Sequence, residues 1–196
     1  MPNESTRFRS EGTPVSNLTN PAAGASAHAQ AYVNALLDAL GARDPFDVLR
    51  ETPDGIRRAI AGMSVAQLTI PEAPGKWSVR HVVQHLADSE LVGGYRFRVV
   101  LAQNRPPLAG YDQDRWANHL GYEDTDIETA LNDFSTLRRA NLRLLDRTSP
   151  AERQRVGLHA ERGEESIAHM MRLYSGHDVV HLRQIARIRE RVTGSR

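Results

Sequence analysis

In the segment SGHDVVHLRQI, residues 175–185, two histidines stand four positions apart, His177 and His181. In a helix, that spacing puts two side chains on one face, with about 5–6 Å between their Cβ atoms. Two ring nitrogens can then converge on one ion at about 2.1 Å each. A third imidazole from a facing helix completes a three-ligand site with an open position, the mark of catalytic rather than structural metal sites. A second pair, His81 and His85 in HVVQH, has the same spacing. Eight histidines in 196 residues give roughly 0.3 such pairs by chance. Spacing alone therefore leaves two readings, metal ligands or hydrogen-bonded core histidines.

The direction of each ring helps to separate them. A helix from about Ser166 to Val192 carries an apolar stripe of Ile167, Met170, Tyr174, Ile185, Ile188 and Val192. At about 100° per residue, His177 and His181 fall within roughly 40° of the stripe's axis. Arg172, Arg183 and Glu190 fall opposite, and His169 falls off the stripe, toward water. Two imidazoles aimed inward without partners would cost roughly 1–3 kcal/mol each, which favours the metal. On the helix that begins at Ser78 the stripe is Val79, Val82, Val83, Leu86, Phe97 and Val100. His85 lies about 110° from its centre, within reach of a neighbouring helix, and His81 about 150° away, facing solvent.

These histidines need helices to hold them, and helical periodicity recurs along the chain. HAQAYVNALLDAL predicts a helix ending near Gly41. DPFDVLR and TPDGIRRAIAG follow, with Pro45 and Pro53 each suited to a first helical turn. SVAQLTIPEAPGK reads as a linker. Ser78 is a candidate N-cap and Trp77 a candidate staple for a helix to about residue 103. Gly93 and Gly94 weaken that helix by about 1 kcal/mol each and mark the close approach of another. NRPPLAGYDQDRWANHLGYED is a long connection, of the kind that crosses over or covers a site. DIETALNDFSTLRRANLRLLDR is a third helix with the stripe Ile127, Leu131, Phe134, Leu137 and Leu145. SPAERQRVGLHAERGEES reads as a loop. Strand signals are almost absent. The expected architecture is all-α, an antiparallel four-helix bundle over residues 28–193 with an extra N-terminal helix. Residues 1–27, rich in Ser, Asn, Thr, Gly and Pro, are expected to form a disordered tail.

Composition removes several classes of function. The formal net charge is +1 and the arginines are interspersed with acids, so neither nucleic acid nor an anionic membrane is an expected partner. No apolar run is long enough to span a bilayer. With no cysteine, the chain has no disulfide, thiolate ligand or cysteine nucleophile. The N-terminus has no apolar signal region. A cytoplasmic protein is the expectation.

GKWSVRHVVQHLADSE, RPPLAGYDQDRWA and HAERGEESIAHMMRLYSGHDVVHLRQI, in that order, resemble the DinB-like (DinB/YfiT) superfamily over about residues 45–190. The resemblance implies a four-helix bundle with a long crossover between helices 2 and 3. It also implies a divalent metal, commonly zinc or nickel, held by three histidines. One lies in the H-L-A-D-S-E segment of the second helix and two in the G-H-D-x-x-H segment of the fourth. Those positions are His85, His177 and His181, the same three that the helical geometry favours. Position 81, usually acidic in such sequences, is histidine here. The family includes thiol-dependent S-transferases, a thiol-dependent isomerase and hydrolases, and dimerisation through bundle helices is common in it.

Two enzymatic expectations follow from an open metal position. Either it activates water for hydrolysis, or it holds an external thiolate for S-transfer, a low-molecular-weight thiol then being the cosubstrate. The competing class is a non-enzymatic metal-binding or stress-associated interaction protein, and a third is a metal-free bundle. Around the ligands, Glu90 reads as an ion-pair partner of Arg96 or Arg98, or as an acceptor for a ligand histidine. Asp178 reads as a salt-bridge residue, or as an orienter of imidazole. His159 and Glu161 could approach the open face or cap the fourth helix. Tyr111 and Trp116 could line a substrate pocket or seal the bundle end. No catalytic base is assigned.

Overall fold

The computed structural model describes residues 26–194. Its long helices are α1 (Ser26–Leu40), α2 (Pro45–Ile60), α4 (Val79–Ala102), α6 (Ile127–Leu145) and α8 (Ile167–Thr193). Short helices α3 (Val65–Thr69), α5 (Gln113–His119) and α7 (Pro150–Arg153) lie between them. Short polar side chains start the bundle helices: Asp44, Ser78, Asp126 and Ser166 each accept a backbone N–H of the first turn, satisfying donors that a helix leaves bare.

The bundle is formed by α2, α4, α6 and α8. Helix α4 packs along α6, α2 along α8 and α6, and α4 meets α8. Helix α1 is the extra N-terminal helix and lies along α8. The expected tail, 1–27, lies outside the described residues except for its last two positions, where α1 has already begun. The main core gathers Trp77, Val82, Leu86, Leu131, Phe134, Ile185 and Ile188. Gly93 and Gly94 do mark close approach: a Cβ at Gly93 would lie 2.6 Å from Tyr174 Cζ, and at Gly94 2.5 Å from Asn141 Oδ1. The same device seats α1, since a Cβ at Gly176 would run into the backbone carbonyl of Leu36.

Four local expectations are corrected. Pro53 does not begin a helix; it sits inside α2, which is continuous from Pro45. Its missing N–H would have bonded the Leu49 carbonyl, and Arg138 Nη1 donates to that oxygen instead at 2.9 Å. The linker after α2 contains α3, closed by a capping box between Ser64 and Gln67. The crossover from α4 to α6 is built rather than irregular, with β1 (Pro107–Leu108), α5 and a 3-10 turn at Tyr122–Asp124. The segment read as a loop before α8 holds α7 and a hairpin of β2 (Val156–His159) and β3 (Gly163–Ser166). β1 adds to β2 in parallel and β2 pairs with β3 antiparallel. A small sheet is thus added to the helical bundle. Strands of two to four residues are too short to show a period-2 pattern, and the β1–β2 pairing joins residues about fifty positions apart.

Candidate metal centre

The site begins with the cap of α4. Ser78 Oγ accepts from the backbone N–H of His81 and bonds its ring at Nδ1, 2.9 Å away. His81 is therefore half-buried over the first turn and near Tyr122, rather than facing water. One turn on, His85 is fully buried. From α8, His177 and His181 come in from the facing side, 6% and 0% exposed.

The structure brings His85, His177 and His181 together. His85 Nε2 lies 2.9 Å from His177 Nε2, which lies 3.1 Å from His181 Nε2. One ligand atom from each ring lies within 4.8 Å of the others. Trp77 forms the wall behind them, stacked at 16° on His181 and 4.9 Å from the His85 ring.

Three neutral imidazoles arranged this way cannot satisfy one another. His181 Nδ1 is 2.9 Å from Gln184 Oε1, which accepts only, so the proton sits on Nδ1 and Nε2 offers a lone pair. His177 Nε2 faces both other rings and can donate at most one proton between them. All three are held neutral. Burial pushes His85 well below the usual imidazole range, reinforced by His181 and His177. Burial pushes His177 down to about 3, with Arg138 adding to it. His181 is lowered well below normal by burial and His177, against a smaller opposing effect from Gln184. Convergent neutral nitrogen lone pairs suit a borderline cation, and tetrahedral nitrogen ligands at about 2.0–2.1 Å stand about 3.3 Å apart. The donor set fits a divalent metal. Gln184 anchors one ring from behind, as outer groups do for metal-bound histidines.

Around this cluster lies an ion-pair network of a different kind. Arg138, 2% exposed, pairs with Asp178 at 2.6 Å and with Glu90 at 2.8 Å. Glu90 also accepts from Asn141 Nδ2 at 2.9 Å. Glu90 is therefore an ion-pair residue, but its partner is neither Arg96 nor Arg98. Asp178 points into the same network and orients no imidazole. With the Leu49 carbonyl included, one guanidinium joins α2, α4, α6 and α8. Sequence reading missed Arg138 because sequence proximity favoured partners on the same helix as Glu90. The signal was present in two inward-facing carboxylates on different helices and in a proline-freed carbonyl.

A cavity opens beside His177. Tyr32 and Leu36 of α1, Ser89 and Arg96 of α4, and Tyr111 of the crossover line it, as do residues of the β2–β3 hairpin and α8. Tyr111 is thus a pocket residue, its ring 4.5 Å from that of Trp116. His159 and Glu161 do not join the three histidines. His159 is buried on β2, its Nδ1 accepting from the Glu161 N–H at 3.2 Å. His169 is half-buried rather than exposed.

The chain is similar to known proteins in both sequence and fold. The family profile of the DinB superfamily matches residues 49–185, and the chain belongs to that superfamily. A Bacillus mycoides protein named "Putative metal-dependent hydrolase" is 29% identical over 144 residues, covering 74% of this chain and 83% of its own. An Oceanobacillus iheyensis protein of the same name is 28% identical over 143 residues, covering 73% and 83%. Among solved structures, YfiT from Bacillus subtilis, described as "a probable metal-dependent hydrolase with an unusual four-helix bundle topology", superposes with a TM-score of 0.72 at 27% identity. That superposition covers 76% of this chain and 86% of YfiT. Helix α1 precedes the residues that the family profile matches.

Among the described residues, no helix is long and apolar enough to cross a membrane.

Proposed function

We propose that the protein is a metal-dependent hydrolase of small molecules, with one divalent ion held by His85, His177 and His181. The observation that carries this reading is the convergence of three buried, neutral Nε2 atoms at 2.9 and 3.1 Å beside an open cavity. The hydrolase names of relatives spanning most of the chain support it. Zinc and nickel both suit an all-imidazole set. A divalent ion held there would supply Lewis acidity for hydrolysis.

The chain's own residues supply position and surroundings. Gln184 fixes the tautomer of His181, and Trp77 closes the rear of the site against water. The cavity at His177 admits a substrate from one side. Glu165 is the carboxylate that lines it. Burial raises its pKa, but the hydrogen bonds and charge of Arg162 outweigh that and hold it below the usual value. It stays ionised and paired, a poor proton acceptor.

Metal content by mass spectrometry on untagged protein tests the reading, comparing wild type with His177→Ala plus His181→Ala. About one divalent ion per chain, absent from the variant, is expected, together with ester or amide hydrolysis that is lost with the metal. Well-folded wild type that takes up no metal on reconstitution overturns it.

A further inference from the structure

Among the described residues, the cavity beside His177 carries more positive than negative charge. Arg162 and Glu165 line it and neutralise each other, at 2.5 and 3.1 Å. Arg96 lines it too and is only 6% exposed. Among the described residues its hydrogen bonds are to neutral groups: Nη2 donates to the Ala109 carbonyl at 2.6 Å, Nη1 to the Tyr174 hydroxyl at 3.4 Å, and Nη2 lies 3.5 Å from His159 Nε2. Nε has no acceptor. Among the described residues, no carboxylate stands within ion-pair distance of it. The contrast is Arg138, also buried, which carries two carboxylates.

A buried guanidinium without a counter-ion is costly to keep. It is retained readily where a ligand completes it. Counting Arg96, Arg162 and Glu165, the wall carries one net positive charge, which calls for one negative charge. The planar fork of arginine matches a carboxylate with two parallel hydrogen bonds. The cavity measures about 50 Å³ and is open at its mouth, room for a small ligand group such as a carboxylate.

Building on the metal-dependent hydrolase reading, we propose that the substrate is a small molecule bearing a carboxylate. That carboxylate pairs with Arg96 and presents the rest of the molecule to the three histidines at His177. Tyr32 and Leu36 also line the cavity. They belong to α1, outside the part of the chain matched by the family, so the shape of this substrate is selected by a segment that the family pattern does not require.

The test is binding, read by calorimetry on zinc-loaded and on metal-stripped protein. Acetate, benzoate and phenylacetate are each compared with the corresponding neutral amide, and inorganic phosphate is included. At least one carboxylate is expected to bind about tenfold or more tighter than its amide. The preference should persist without metal, which separates pairing with Arg96 from ligation to zinc. Arg96→Met should abolish it while keeping the helical circular dichroism and a Tm equal to or above wild type. Arg96→Lys keeps the charge without the fork and should retain part of the preference.

Wild type that does not distinguish acids from amides overturns the proposal, as does a preference that survives in Arg96→Met. Phosphate binding tighter than every carboxylate also overturns it. If Arg96 merely ties the crossover through Ala109, Arg96→Met lowers the Tm and wild type shows no acid preference. Metal content is measured on the same samples. Metal without acid preference defeats this proposal alone, and acid preference without metal defeats the hydrolase reading alone.

Discussion

Arg138 Nη1 donates to the carbonyl oxygen of Leu49 at 2.9 Å, occupying the acceptor that Pro53 leaves vacant inside α2. The same guanidinium binds Asp178 on α8 and Glu90 on α4. Asp178 adjoins His177 in the chain and Glu90 lies five residues after His85. The network therefore sets the register in which the two histidine-bearing helices face each other.

Removing that charge should be severe. Arg138→Met leaves two buried carboxylates without a cation, and a loss of about 3–5 kcal/mol is expected from urea unfolding. Adding Glu90→Gln and Asp178→Asn should recover much of it. A variant as stable as wild type would show that the network contributes little.

Pro53→Ala should behave unlike an ordinary proline removal. Replacing an interior helical proline by alanine is worth about 3 kcal/mol in isolation. Here the new N–H must share the Leu49 oxygen with Arg138, so the measured gain should be well below that figure. A full gain by urea unfolding would mean that the Arg138 contact adds nothing.

Gly176→Ala tests the seat of α1. On an open helix the change gains about 1 kcal/mol; here the added methyl meets the Leu36 carbonyl. We expect a loss of about 1–3 kcal/mol and faster proteolysis between α1 and α2. Unchanged cleavage with raised stability would contradict the packing described.

Acid should unfold the metal-free protein earlier than its carboxylates alone would cause. His177 titrates near 3 and His159 near 4 in the folded chain, against 6.5 when unfolded. Burial is the main cause for both, with Arg138 acting on His177 and Arg162 on His159. Between those values the unfolded chain binds protons that the folded chain refuses, so stability is intact above about pH 6.5 and falls below it. The slope is up to about 1.4 kcal/mol per pH unit for each group. Denaturant midpoints measured from pH 7 to 4 give that slope. His177→Gln should make it shallower, and an equal slope in that variant would contradict the assignment.

Much of this was legible in the linear chain because it repeats at short range. The stripe of the last helix recurs every turn, and its phase alone pointed His177 and His181 inward. The cap Ser78 announced its helix, and Gly93 and Gly94 announced close neighbours. Such features depend on residues within about four positions of one another, where helical geometry is fixed.

Tertiary structure decided the rest. The strands beside the crossover are too short to carry a pattern, and form because residues 107–108 and 156–166 meet. Whether Glu90 paired with Arg96 or with Arg138 depended on how α4 and α6 face each other. So did the lack of a paired carboxylate at Arg96 among the described residues, since it is a property of everything packed around the side chain. The four-residue spacing placed two imidazoles on one face; only the packing of α4 against α8 brought the third within 2.9 Å, because helical periodicity sets a side chain's direction and not what stands opposite it.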